Sequence, residues 1–403
     1  MSIGINVYSE ISALKTVLLH RPGRELLNLT PDTLQELLFD DIPFLKVAVR
    51  EHDEFASILR ENGVEVLYLE ELMSEVLNDE AVKDRFIRQY LEEGCFDRRF
   101  HESLYAYLSG MDNEELVLKS MEGIKYHDTE TGVGVSLADL TNDTNNMLIA
   151  PMPNLYFTRD PFASVGSGVC LNRMYYETRR RETIYGEYIF RYHPRFRNVK
   201  KYYDRYDPYH IEGGDIVNLS KEVIAVGISQ RTEANAIDFL AKHIFRDEES
   251  PLRRILVFSI PKNRSFMHLD TVFTQIDHDK FTIHPEINET MRIFSLDRRD
   301  GTDYEIRRVD EKLDEILAKA LKMSRVELIA CGGSDQIASK REQWNDGSNT
   351  LCIAPGKVLV YERNEITNDL LESHGITVLR MPSSELSRGR GGPRCMSMPI
   401  WRE

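Results

Sequence analysis

The sequence predicts an α/β fold of five repeated units, each running strand, strand, helix, strand, closed into a five-bladed α/β propeller with an all-helical segment inserted. Three observations carry that reading. An apolar pattern in the first third recurs in the last third, hairpin signals are each followed by a helical period and one more strand, and apolar residues keep helical spacing from Glu70 to about Asn145.

The repeat is plainest where Ile58, Leu59, Gly63, Val64, Val66 and Leu67 recur at the same spacing as Leu370, Leu371, Gly375, Ile376, Val378 and Leu379. Each copy reads as a helix ending at a C-cap glycine and entering a strand. After the first copy, Val82, Phe86 and Tyr90 fall on one helical face, and Asp112 with Glu115 three residues later resembles a capping arrangement. Residues 70–145 are therefore expected to be a helical insertion between 1–69 and 146–403, which together form the propeller. A second unit starts with Leu155 to Thr158, crosses Gly166-Ser167-Gly168 to Val169 to Leu171, and continues into a helix near Glu182. A third pairs Ile216 to Leu219 with Val223 to Ile228, has a helix capped by Thr232 running through Phe245, and closes with Ile255 to Ile260. A fourth pairs Val272 to Ile276 with Phe281 to His284 across Asp277 to Asp279, then has a helix from about Glu311 to Ala320 and a strand Glu327 to Ala330. The last hairpin joins Leu351 to Ala354 with Val358 to Tyr361 through Pro355-Gly356. Radial repetition keeps strand edges short or covered, whereas a doubly wound parallel sheet leaves the hairpins unexplained.

Composition narrows the function. The chain has 403 residues, 41% hydrophobic and 29% charged, with a formal net charge of -15. Such a field repels nucleic-acid phosphates and acidic membrane surfaces, so neither is an expected partner and small cationic or zwitterionic molecules are. No run of eighteen apolar residues occurs, and Glu10 and Lys15 interrupt any signal-peptide core, so a cytoplasmic location is expected. Cys95, Cys170, Cys331, Cys352 and Cys395 include no Cys-x-x-Cys pair. Cys170 and Cys352 sit in apolar runs and read as small buried hydrophobes. Cys395, after Gly391, Gly392, Pro393 and Arg394, sits in loop chemistry and is the candidate reactive, exposed thiol.

Four segments place unusual polar residues at unit ends. They are Pro153-Asn154-Leu155-Tyr156-Phe157-Thr158-Arg159-Asp160-Pro161, His210-Ile211-Glu212-Gly213-Gly214-Asp215, Phe266-Met267-His268-Leu269-Asp270, and Ser387 to Pro399 around Cys395. Strand alternation would put His268 and Asp270 on one face, and the glycines after Glu212 would let backbone approach a ligand. Each segment also has a plain structural reading: a strand-end acid as a turn residue, a strand histidine as a satisfied core group. His268 and Asp270 could be two metal ligands, but no second histidine pair at metal spacing accompanies them, so no metal is expected. The glycine-rich segment lacks the strand-loop-helix context of a phosphate loop.

Taken together and in order, the four segments resemble the arginine deiminase branch of the guanidino-group modifying superfamily, most closely from Ser387 to Pro399. The resemblance implies the pentein fold, a five-bladed α/β propeller, and hydrolysis of L-arginine to L-citrulline and ammonia without a cofactor. It places the chain at the first step of arginine catabolism by the arginine dihydrolase route. By correspondence Cys395 attacks the guanidinium carbon to give a covalent thiouronium. His268 serves as acid and then base, Glu212 orients it, and Asp160 and Asp270 clamp the guanidinium plane. A bound cation and a neighbouring imidazolium would favour the thiolate. Asn154, Arg179 and Arg231 would take the carboxylate and ammonium end, with Arg390 on a loop beside the nucleophile. Arg179 opens the run Arg179-Arg180-Arg181, so a shift by one residue is open at this point. A homo-oligomer, dimer or larger, is expected from the surface that a helical insertion offers.

Overall fold

The computed structural model describes residues 4–95, 97–128, 147–262, 266–284, 286, 291–299 and 303–403. The recurring apolar pattern has a direct structural cause. The helices Leu45–Glu61 and Glu365–Ser373 both end on a glycine with positive φ, Gly63 at 77° and Gly375 at 82°. In each, the glycine N–H reaches back to Arg60 or Glu372 and the next N–H to Leu59 or Leu371, which closes the last turn and points the chain into a strand.

Five small sheets share one order: an antiparallel pair whose second strand pairs in parallel with the third. They are Phe162–Val165, Gly168–Leu171 and Lys200–Tyr203; Ile216–Asn218, Val223–Ile228 and Arg254–Ser259; Phe273–Gln275, Lys280–Ile283 and Glu327–Ala330; and Leu351–Ala354, Lys357–Tyr361 and Thr377–Met381. The fifth joins the two ends of the chain: Met398–Arg402 pairs antiparallel with Leu14–Leu19, which pairs in parallel with Glu65–Tyr68. A strand at residue 400 thus completes the unit begun at residue 14, and Cys395 is carried in just ahead of it.

Several sequence expectations are corrected. Leu155 to Thr158 is not a strand: Pro153 opens a 3-10 turn, Pro153–Tyr156, and the strand begins at Phe162. Thr158 is pinned there, its hydroxyl shared between the Leu18 and Met396 carbonyls at 3.1 and 3.2 Å. His268 and Asp270 do not alternate along a strand either, since Leu269–Thr271 is a 3-10 turn with His268 at its N-cap. Thr232 does not cap the helix Ala234–Arg246, whose N-cap is Glu233; its hydroxyl accepts the Glu212 N–H at 3.1 Å. Other elements were not anticipated. The hairpin Arg292–Arg298 and Tyr304–Val309 extends the sheet of Ile216–Asn218 and Val223–Ile228 beyond Arg254–Ser259, and the polar helix Gln336–Trp344 is capped by the Asp335 carboxylate on Ala338 N–H.

Helices Leu69–Val76, Glu80–Gly94, His101–Ser109 and Asn113–Glu122 follow the first unit directly. Asp112 accepts the Glu115 N–H at 2.8 Å, the capping contact its spacing suggests. Their apolar faces, with Phe86, Leu104 and Leu116, share one core with Phe162, Tyr185 and Tyr188 of the second unit. The expected limit at 145–146 lies outside the described residues. Among those residues no helix is long and apolar enough to cross a membrane.

Candidate active site

The unit ends converge on a cavity of about 760 Å³. Asn154, Asp160, Arg179, Arg231, His268, Arg390 and Cys395 line it. Glu212 and Asp270 lie behind this surface, both fully buried. Of the run Arg179-Arg180-Arg181, Arg179 alone faces this cavity; Arg180 and Arg181 line a neighbouring one.

His268 is held from two sides. Its Nε2 is 2.8 Å from Glu212 Oε2, and its Nδ1 is 3.8 Å from Asp160 Oδ1. A Cβ on Gly214 would sit 2.6 Å from His268 Nδ1, so what this glycine admits is the imidazole. Burial pulls the His268 pKa down, but Asp160, the Glu212 hydrogen bond and Asp215 outweigh it and raise it to about 9. Glu212 is also buried, yet Arg231, the His268 hydrogen bond and Arg179 hold its carboxyl well below the usual range. Arg231 Nη1 donates to Glu212 Oε2 at 3.1 Å, its guanidinium lies 4.5 Å over the Tyr176 ring, and Tyr175 N–H donates to Glu212 Oε1 at 3.0 Å.

The two aspartates are arranged alike. Arg179 Nη1 donates to Asp160 Oδ2 at 2.7 Å, and Arg394 Nη1 donates to Asp270 Oδ2 at 2.7 Å. In each the other oxygen, Oδ1, is buried and accepts no hydrogen bond among the described residues. A buried carboxylate oxygen without a donor is costly, so each acid is set to receive one.

Cys395 departs from its sequence reading as an exposed thiol: it is only 6% exposed. Its N–H donates to Asn349 Oδ1 at 3.1 Å, and its thiol lies 3.8 Å from Asp270 Oδ2. Burial pushes the thiol pKa well above its ordinary value, Asp270, Asp160 and Asp346 push the same way, and Arg394 opposes them. The expected imidazolium advantage is outweighed by burial and these acids. A guanidinium entering between them would reverse the field at sulfur.

One ligand atom from each of Asp160, Glu212 and His268 falls within 4.8 Å of the others, a spacing that can hold a cation. Arg179 and Arg231 already occupy two of these acids and would repel a divalent ion. Arg390 Nη1 donates to Asp40 Oδ2 at 3.1 Å with its guanidinium over Trp344, and Asn154 Nδ2 donates to the Leu37 carbonyl at 2.7 Å.

The profile described as arginine deiminase matches residues 35–402. The arginine deiminase of Treponema denticola is 56% identical over 99% of this chain and 98% of its own. The chain belongs to the arginine deiminase family. A second member, from Clostridium perfringens, is 52% identical over 99% of this chain and 98% of its own. Solved structures with the same fold include the amidinotransferase SxtG of Microseira wollei, with TM-score 0.54, 15% identity and coverage of 99% and 97% of the two chains. Another is the DDAH of Pseudomonas aeruginosa complexed with citrulline, with TM-score 0.51, 16% identity and coverage of 96% and 99%.

Four residues of this deiminase-family site escaped the sequence reading: Arg394, Asn349, Tyr176 and Glu182. Arg394 directly precedes Cys395, and Glu182 follows Arg179 by three residues, a spacing that joins side chains on one turn. Asn349 and Tyr176 carry no comparable local signal.

Proposed function

We propose that this chain is an arginine deiminase that hydrolyses L-arginine to L-citrulline and ammonia through a thiouronium on Cys395. The observation that carries the reading is the pair of buried oxygens, Asp160 Oδ1 and Asp270 Oδ1, that accept no hydrogen bond among the described residues, beside a thiol that burial and the same acids keep protonated. A guanidinium is planar and permanently charged, so two acids take its edges and leave a face open to sulfur. Its charge offsets theirs and lets the thiol ionise, with its proton released to solvent.

Sulfur then bonds to the guanidinium carbon, and the bond from that carbon to one terminal nitrogen breaks as His268 protonates the departing ammonia. The neutral imidazole next takes a proton from water, whose oxygen attacks the same carbon. The carbon–sulfur bond breaks as the added hydroxyl gives its proton to the leaving sulfur, which forms the citrulline carbonyl and regenerates the thiol. Glu212 orients His268. Arg179, Arg231, Asn154 and Arg390 surround the carboxylate and ammonium end. We further propose that the enzyme works in the cytoplasm as a homo-oligomer, with no nucleic acid or membrane partner, and that 70–145 is an insertion outside the chemistry.

The test is citrulline and ammonia release from L-arginine and, side by side, hydrolysis of agmatine, which lacks the carboxylate. Arginine is expected to turn over faster, and faster agmatine hydrolysis would overturn the assignment. Because the raised His268 pKa keeps the proton below about 9 and releases it above, turnover should fall as pH rises through that value. The paired cations on Asp160 and Glu212 give a separate expectation: dialysis against a chelator leaves arginine turnover unchanged. A loss that added metal restores would show that a cation occupies the Asp160, Glu212 and His268 cluster.

A further inference from the structure

The short helix Glu177–Arg180 turns Arg179 inward, where it is 3% exposed. Its Nη1 serves Asp160, while Nε donates to both Glu182 oxygens at 3.1 and 3.0 Å and Nη2 lies 2.9 Å from Glu182 Oε2. Glu182 is 1% exposed, and Arg179 is its sole side-chain hydrogen-bond partner among the described residues. With Glu182 ionised, Glu182, Arg179 and Asp160 form a buried chain of net charge -1, where Arg179 with Asp160 alone would be neutral. Burying a second acid is unfavourable unless it changes what the first can do.

Resting on the arginine deiminase reading, we infer that Glu182 is a positioning and specificity-determining residue: it neutralises Arg179 from behind, so that Asp160 keeps its full charge for the substrate guanidinium. The two ends of the substrate feel this oppositely. With Glu182 uncharged, Arg179 directs its charge at Asp160, which weakens the cation subsite, while the carboxylate end gains a more positive neighbour. The charged groups facing Glu182 are Arg179, Asp160 and, from the next unit, Glu212. Burial raises the Glu182 carboxyl to about 7 against the pull of Arg179. It is therefore ionised above neutrality and protonated below, and cation binding should strengthen as pH rises from 6 to 8.

The substitution Glu182→Gln keeps the size and an acceptor for Arg179 Nε. Agmatine, a guanidinium without the carboxylate, is the probe of the cation subsite, read as a competitive inhibitor of arginine turnover. The expected result is a rise of about tenfold in its inhibition constant, with the KM for arginine moving less than about threefold because its two ends offset. A structural role alone would raise both by the same factor, and that outcome overturns the inference. If E182Q does not fold, Glu182→Asp and Glu182→Asn are compared: the charged Asp chain should bind agmatine more tightly than the equally sized neutral Asn chain, and equal inhibition constants overturn the inference. Absence of citrulline from the unmodified chain removes the deiminase reading itself; normal turnover with parallel shifts in E182Q removes the role of Glu182 alone.

Discussion

A Cys395→Ser chain is expected to form no citrulline above background, a loss of at least about 10⁴-fold in kcat. Cys395 brings the one thiol to the cavity among the described residues, and it works where anions are disfavoured. Burial and the carboxylates of Asp270, Asp160 and Asp346 already oppose ionisation of the thiol. A serine hydroxyl ionises far less readily, so a bound guanidinium that suffices for Cys395 would not suffice for it. The fold should be indifferent to the exchange, because oxygen is slightly smaller than sulfur and the link from Cys395 N–H to Asn349 Oδ1 is made by backbone. The measurement is citrulline release beside a thermal unfolding curve, with the unfolding midpoint within a few degrees of the parent. Retained turnover in a folded C395S chain would remove the nucleophile and with it the thiouronium.

That so much was legible in the sequence follows from how the units are built. The Gly63 and Gly375 turns are enforced locally by positive φ, so the same spacing of apolar residues marks both copies. The hairpins at Asp277 to Asp279 and Pro355-Gly356 have local turn chemistry and fall where expected. Elements set by tertiary context were harder. Leu155 to Thr158 has strand composition, but the hydroxyl of Thr158 is drawn to two carbonyls from distant segments. The hairpin Arg292–Arg298 and Tyr304–Val309 is an outer addition rich in arginine, with little apolar alternation to betray it. At the site, order along the chain sufficed to name residues that meet in or beside one cavity. Charge balance was invisible. Nothing local says that Arg394 and Arg179 each take one oxygen of an aspartate, or that Cys395 is buried among acids.

The same balance makes Asp270→Asn the most discriminating substitution after C395S, because it should move two readouts in opposite directions. Asp270 is the acid that contributes most to the raised thiol pKa of Cys395. Neutralising it removes that repulsion and leaves Arg394, still paired with Glu10 at 3.2 Å, with less opposing charge beside the sulfur. The thiol should then ionise at lower pH, and iodoacetamide should alkylate Cys395 faster than in the parent at neutral pH. Arginine turnover should fall all the same, by about 10²- to 10⁴-fold, because one edge of the guanidinium loses its acceptor and the face presented to sulfur is no longer fixed. Asparagine keeps an oxygen for Arg394 Nη1, so the buried arginine retains an acceptor and the loss of stability should be well below the roughly 3–5 kcal/mol of a broken buried pair. Slower alkylation together with slower turnover would mean that Asp270 acts only as scaffolding. Undiminished turnover would mean that the guanidinium is held elsewhere. Faster alkylation with slower turnover fits one arrangement: an acid that restrains the nucleophile until the substrate cation arrives to release it.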